Sequence, residues 1–128
     1  MNAKPKTVLI VDDESGVTAY LSALLQDNGY KTITAGNGKE GFDKAKQEMP
    51  DLISLDITMP EESGVRMFRN LQENSETTKI PVIIVTGIAS GFKGFIESRR
   101  QVRPPEGYFD KPIDNEEYIA KVKELIGD

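Results

Sequence analysis

Three short runs constrain this chain more than anything else in it: Thr7–Val11, Leu52–Leu55 and Ile80–Val85. They are β-rich and apolar with little alternation, the pattern of strands covered on both faces, as in parallel sheets. Each stops on a polar group: Asp12-Asp13-Glu14, Asp56 and Thr86. Tyr30–Ala35 alternates and reads as a strand nearer an edge, and Gly107-Tyr108-Phe109 is a short last strand leading into Asp110-Lys111-Pro112.

Helical spacing fills the intervals. Val17, Leu21, Leu24 and Leu25 form one stripe, stopped by Asn28-Gly29. Asn37-Gly38 opens a second helix with Phe42, Ala45 and Met49 inward and Pro50 as its end. A third carries Val65, Phe68 and Leu71, and a weak one is expected from Phe92 to Gln101. Asp114 and Glu117 are placed to cap a final helix with Ile119, Val122, Leu125 and Ile126 inward.

Five strand–helix alternations with right-handed crossovers give an α/β fold, a doubly wound five-stranded parallel sheet with helices on both faces. The order 2-1-3-4-5 suits five such units and puts the ligand crevice beyond strands 1 and 3. At 128 residues, one domain over 1–128 is expected. In that order Asp12, Asp13, Asp56, Thr86 and Lys111 converge on one edge of the sheet.

Composition narrows the chemistry there. With neither histidine nor cysteine, imidazole- and thiol-based catalysis and metal sites are excluded. The lack of cysteine fits a reducing, cytoplasmic setting. A net charge of −5 argues against direct nucleic-acid binding. No apolar run approaches a membrane span, and the N-terminus lacks a signal-peptide core. Crowded carboxylates with only oxygen donors call for a hard cation such as Mg²⁺. A cation, a lysine and a hydroxyl around an aspartate suit a phosphoryl group, with Asp56 as nucleophile. Removing its charge, as in Asp56→Asn, is expected to relieve repulsion and stabilise the metal-free fold.

The set Asp12-Asp13, Asp56 with Met59-Pro60 and Gly64 behind it, Thr86 and Lys111-Pro112 resembles the receiver domains of two-component response regulators, from Val8 to Ile126. The resemblance implies a flavodoxin-like, chemotaxis-regulator-like sheet. It also implies phosphorylation of Asp56 by a phosphohistidine on a sensor histidine kinase or histidine phosphotransfer protein. On the same grounds Asp13 and Asp56 would ligate Mg²⁺ with the carbonyl of Thr58, and Asp12 would assist through water. Lys111 would contact the phosphoryl oxygens, Thr86 would turn its hydroxyl onto them, and Tyr108 would move inward as the second switch residue. The Lys111–Pro112 peptide would be cis.

Such a protein is no enzyme beyond its own phosphorylation and dephosphorylation. It would act as a monomer or a phosphorylation-dependent dimer on a downstream protein, with residues 87–106, including Arg99, Arg100 and Arg103, as the output segment. Two other readings compete. An aspartyl-phosphate hydrolase would need a second aspartate where Thr58 stands, and a protein-binding pseudo-receiver would typically lack one of the acidic residues, Thr86 or Lys111.

Overall fold

A computed structural model describes residues 5–87 and 104–127. Five parallel strands, β1 (Thr7–Val11), β2 (Lys31–Ala35), β3 (Leu52–Leu55), β4 (Val82–Thr86) and β5 (Gly107–Asp110), stand in the order β2-β1-β3-β4-β5. That is the expected order, with β2 at an edge. The helices are α1 (Ser15–Asp27), α2 (Gly38–Glu48), α3 (Ser63–Glu73) and α4 (Asn115–Ile126), and a 3-10 turn, Pro60–Glu62, precedes α3. The helix expected from Phe92 to Gln101, the arginines beyond it and most of the expected output segment lie outside the described residues.

The sheet has a core on each face because its central strands are apolar throughout. Leu9, Val11, Ile53, Leu55 and Ile84 point to one side, where Ala45 of α2 and Met67, Phe68 and Leu71 of α3 cover them. Val8, Ile10, Leu52, Ile83 and Val85 point to the other, under Leu21 and Leu25 of α1 and Tyr118, Ile119 and Val122 of α4. At roughly 1.5–3 kcal/mol for each large apolar side chain buried, these two layers supply the main stabilisation of the fold.

Local signals set the element ends. Asn37 caps α2, its side chain accepting the amide of Glu40 at 2.8 Å, while Glu40 accepts the amide of Gly36 at 2.8 Å. The first bond satisfies a first-turn donor that a helix leaves unpaired, and the second ties down the chain just before the cap. Asp114 caps α4 by accepting the Glu117 amide at 3.1 Å. Gly29 ends α1 with φ +92°, a backbone that costs a glycine little.

One inward assignment changes, and one buried residue goes unmarked by the pattern. Met49 is the C-cap of α2 in a left-handed conformation and is 49% exposed, because the helix stops one residue before it. Among the described residues Tyr118, which the spacing does not single out, is the largest fully buried side chain, edge-on to Phe109. Burial pushes its phenol up to about 12.

Candidate functional site: the carboxyl edge of the sheet

Parallel register brings the polar residues together. Val11 pairs with Leu55, and the next residue on each strand is Asp12 and Asp56. The Asp56 amide donates to the Val11 carbonyl at 2.9 Å and the Asp12 amide to Ala35 at 3.1 Å, so the ladder is still closed where the carboxylates begin. On the far side the Lys111 amide donates to Thr86 at 3.2 Å. The Lys111–Pro112 peptide is cis. Asp12, Asp56 and Thr86 are buried, whereas Asp13 is exposed.

Lys111 is the hub of the charges. Its Nζ lies 2.8 Å from Asp12 Oδ2, 3.1 Å from Glu14 Oε1 and 3.2 Å from Asp56 Oδ2. Asp12, Asp13, Glu14 and Asp56 each offer a carboxylate oxygen, all within 4.8 Å of one another. Four carboxylates against one lysine leave a strong negative excess in a half-enclosed site. The donors are hard oxygens without nitrogen or sulfur, a set that fits a hard divalent cation. Glu14 is a member the sequence reading left out, since one more acidic residue before a helix carries no distinguishing signal.

The two oxygens of Asp56 have different surroundings. Oδ2 faces Lys111, while Oδ1 accepts the Thr58 amide at 2.9 Å and the Thr58 hydroxyl at 2.7 Å. The Thr58 and Thr86 hydroxyls lie 3.0 Å apart. Burial raises the pKa of Asp56, but hydrogen bonds from Thr58 and Thr86 and the charge of Lys111 outweigh it, and the carboxyl is held below its ordinary value. For Asp12 the balance is reversed. Burial, with the charge of Asp56 adding to it, exceeds the bonds from Lys111 and the Glu14 amide, and the pKa is raised. Lys111 loses some basicity to burial, yet its bonds to Asp12 and Glu14 and the charges around it raise its pKa overall.

These signs move the expected charge relief from Asp56 to Asp12. A depressed carboxyl contributes stability above its unfolded pKa and loses it as pH falls through the folded value. A raised one favours the fold at low pH and detracts from it once ionised. At neutral pH without metal, Asp12→Asn should therefore melt above the wild type, and Asp56→Asn should not. Thermal melts in a chelator check this, and a higher melting temperature for Asp56→Asn alone would contradict it.

Gly64 opens α3 directly behind the site, where a Cβ would stand 2.3 Å from the Asp56 carbonyl oxygen. Tyr108 is half-buried on β5, beside Ile84 of β4 and against the core that α2 and α3 cover.

Residues 8–123 match the response regulator receiver domain. The chain belongs to that family. Among its relatives, the polar-differentiation response regulator DivK of Brucella anthropi is 40% identical over 124 residues, 97% of this chain and 98% of that protein. DivK of Brucella ovis is 38% identical over 123 residues, 96% of this chain and 98% of that protein. Among solved structures, the chemotaxis protein CheY4 of Vibrio cholerae superposes with a TM-score of 0.82 at 27% identity, covering 94% of this chain and 98% of that one. A CheY-like receiver domain protein of Methanospirillum hungatei gives 0.82 at 25% identity, covering 96% and 94%. Family membership and the five-stranded order agree with the sequence reading of this receiver. No described helix is long and apolar enough to cross a membrane.

Proposed function

We propose that this receiver accepts a phosphoryl group on Asp56 from a phosphohistidine of a sensor kinase or phosphotransfer protein, and that the product changes its affinity for a protein partner. The observation that carries this reading is the placement of Asp56. It is a buried carboxylate kept ionised, with one oxygen held by Thr58 and the other facing Lys111.

In the transfer a carboxylate oxygen of Asp56 forms the new bond to phosphorus. The phosphorus–nitrogen bond of the donor breaks, and the electron pair leaves with the imidazole. Charge then gathers on the phosphoryl oxygens, and Lys111 is the described cation closest to Asp56. Asp12, Asp13 and Asp56 with the Thr58 carbonyl would hold Mg²⁺. When bound, it supplies two positive charges to the oxygens of the transferring group. Asp12 and Glu14 hold Lys111 at the mouth of the site until that charge arrives.

A phosphomonoester hydrolase of this topology would carry a general acid two residues beyond Asp56, where Thr58 stands. Saturation separates the two. With Mg²⁺ and acetyl phosphate, intact-protein mass should rise by one phosphoryl group per chain and stop. Continuous release of phosphate from varied monoesters would overturn the receiver reading in favour of a hydrolase.

A further inference from the structure

Tyr118 brings a hydroxyl into the apolar layer that α1 and α4 form against the sheet, where it is 0% exposed. The polar group facing its phenol is Ser54 of β3, itself 1% exposed, which draws the phenol pKa down against the burial that raises it. The two hydroxyls nevertheless stop short of a well-formed hydrogen bond. Burying two polar atoms that pair imperfectly detracts from stability, and apolar side chains would fill most of the same space without that cost. Fold stability therefore does not account for the pair. Its position does so better. Side chains two apart on a strand share a face, so Ser54 stands on the row of β3 that leads to Asp56. The Tyr118 ring also meets Phe109 of β5 edge-on, with centroids 5.7 Å apart at 72°, and Phe109 stands two residues before Lys111. Between them lies β4, where Ile83 pairs with Ser54 and Val85 with Phe109.

We infer that Tyr118 is a positioning residue, a brace across β4 that holds the strand ends bearing Asp56 and Lys111 at the spacing phosphoryl transfer needs. The inference rests on the reading of Asp56 as the phosphoryl acceptor. Lys111 reaches Asp56 at 3.2 Å although β4 separates their strands. The twist between neighbouring strands is variable, so ladder bonds alone leave β3 and β5 free to fan about β4. A single rigid ring touching both strands removes that freedom at the level just beneath the site. A small misplacement of a charge-stabilising group costs rate, because its effect depends on where charge gathers in the transfer. The phenol supplies one end of the brace and the ring edge the other.

Tyr118→Phe keeps the ring and its contact with Phe109 but frees the β3 end, and Ser54→Ala frees the same end from the strand side. Tyr118→Phe should melt level with or above the wild type. The control is Val122→Ala, a change at a fully buried residue of the same helix and layer, which should melt lower. The first readout needs neither metal nor phosphoryl donor: the NMR signal of the Lys111 ammonium in the resting protein. It should shift in Tyr118→Phe and Ser54→Ala and stay in place in Val122→Ala. The second is uptake from acetyl phosphate with Mg²⁺. In Tyr118→Phe and Ser54→Ala the saturating rate should fall about three- to tenfold, the scale of one neutral hydrogen bond, with the half-saturating donor concentration unchanged. The double variant should lose the same factor as either single one, since both cut one tie. An unchanged rate or an unchanged Lys111 signal in Tyr118→Phe overturns the brace, as does an equal loss of rate in Val122→Ala or a multiplied loss in the double variant. If the wild type takes up no phosphoryl group, the reading of Asp56 fails, and the resting Lys111 signal still decides whether Tyr118 holds the strands.

Discussion

Lys111→Met takes up a phosphoryl group about two to three orders of magnitude more slowly than the wild type, and binds Mg²⁺ more tightly. The two effects have one cause. Lys111 is a fixed cation within 3.2 Å of Asp12, Glu14 and Asp56. As charge develops on the transferring group, a preorganised donor of this kind contributes roughly 10²- to 10³-fold in rate. In the resting site the same ammonium repels any divalent ion drawn to the carboxylates. Even with the screening of bulk water, a single and a double charge at contact distance repel by roughly 2 kcal/mol. Removing it should strengthen Mg²⁺ binding by about tenfold or more. Calorimetry with Mg²⁺ and the rate of acetyl phosphate uptake give the two numbers. Weaker metal binding in Lys111→Met would mean that the lysine organises the carboxylates instead of competing with the ion.

Gly64→Ala is a damaging small change at the site itself. The added Cβ would stand 2.3 Å from the Asp56 carbonyl oxygen and 2.9 Å from the Ile57 Cα. Both are backbone atoms, so no side chain can turn aside, and α3 or the end of β3 must shift. Overpacking of this kind costs about 1–3 kcal/mol or somewhat more. For a chain of this size a loss near 3 kcal/mol lowers the melting temperature by about 10 °C. The displaced backbone carries Asp56, so phosphoryl uptake should slow in the same variant. Gly16→Ala is the control, because a Cβ there meets nothing within 4 Å on an exposed turn of α1. Its melting temperature should stay level or rise slightly. Equal losses in the two variants would show that helix-start backbone, and not the contact with Asp56, sets the cost.

Much of this receiver is readable in its sequence because its signals are cooperative. The unbroken apolarity of Val8–Val11 and Val82–Val85 forces a sheet covered twice, and right-handed crossovers leave few strand orders. Once the order is β2-β1-β3-β4-β5, Asp12, Asp56, Thr86 and Lys111 have to meet at one edge. What was illegible depends on single side chains. Periodicity places Met49 inward but carries no record of a helix that turns left-handed at that residue. The stripe of α4 marks its aliphatics and passes over Tyr118, whose ring fills the interior as well as any of them. Glu14 reads as solvated acid before a helix until Lys111 is found beside it. The contrast between Asp12 and Asp56 is finer still. Both are buried aspartates on adjacent strands, and the number of donors aimed at each decides which carboxyl is lowered and which raised.

The central claim is that Asp56 itself carries the phosphoryl group. Borohydride reduces an aspartyl phosphate to homoserine, leaving a stable mark at the residue that was modified. After treatment with Mg²⁺ and acetyl phosphate, then borohydride, peptide mass mapping should find homoserine at position 56. The mark should vanish in excess chelator and in Asp56→Asn. Homoserine at Asp12 or Asp13 instead, or at position 56 with equal yield when the metal is removed, would contradict the account.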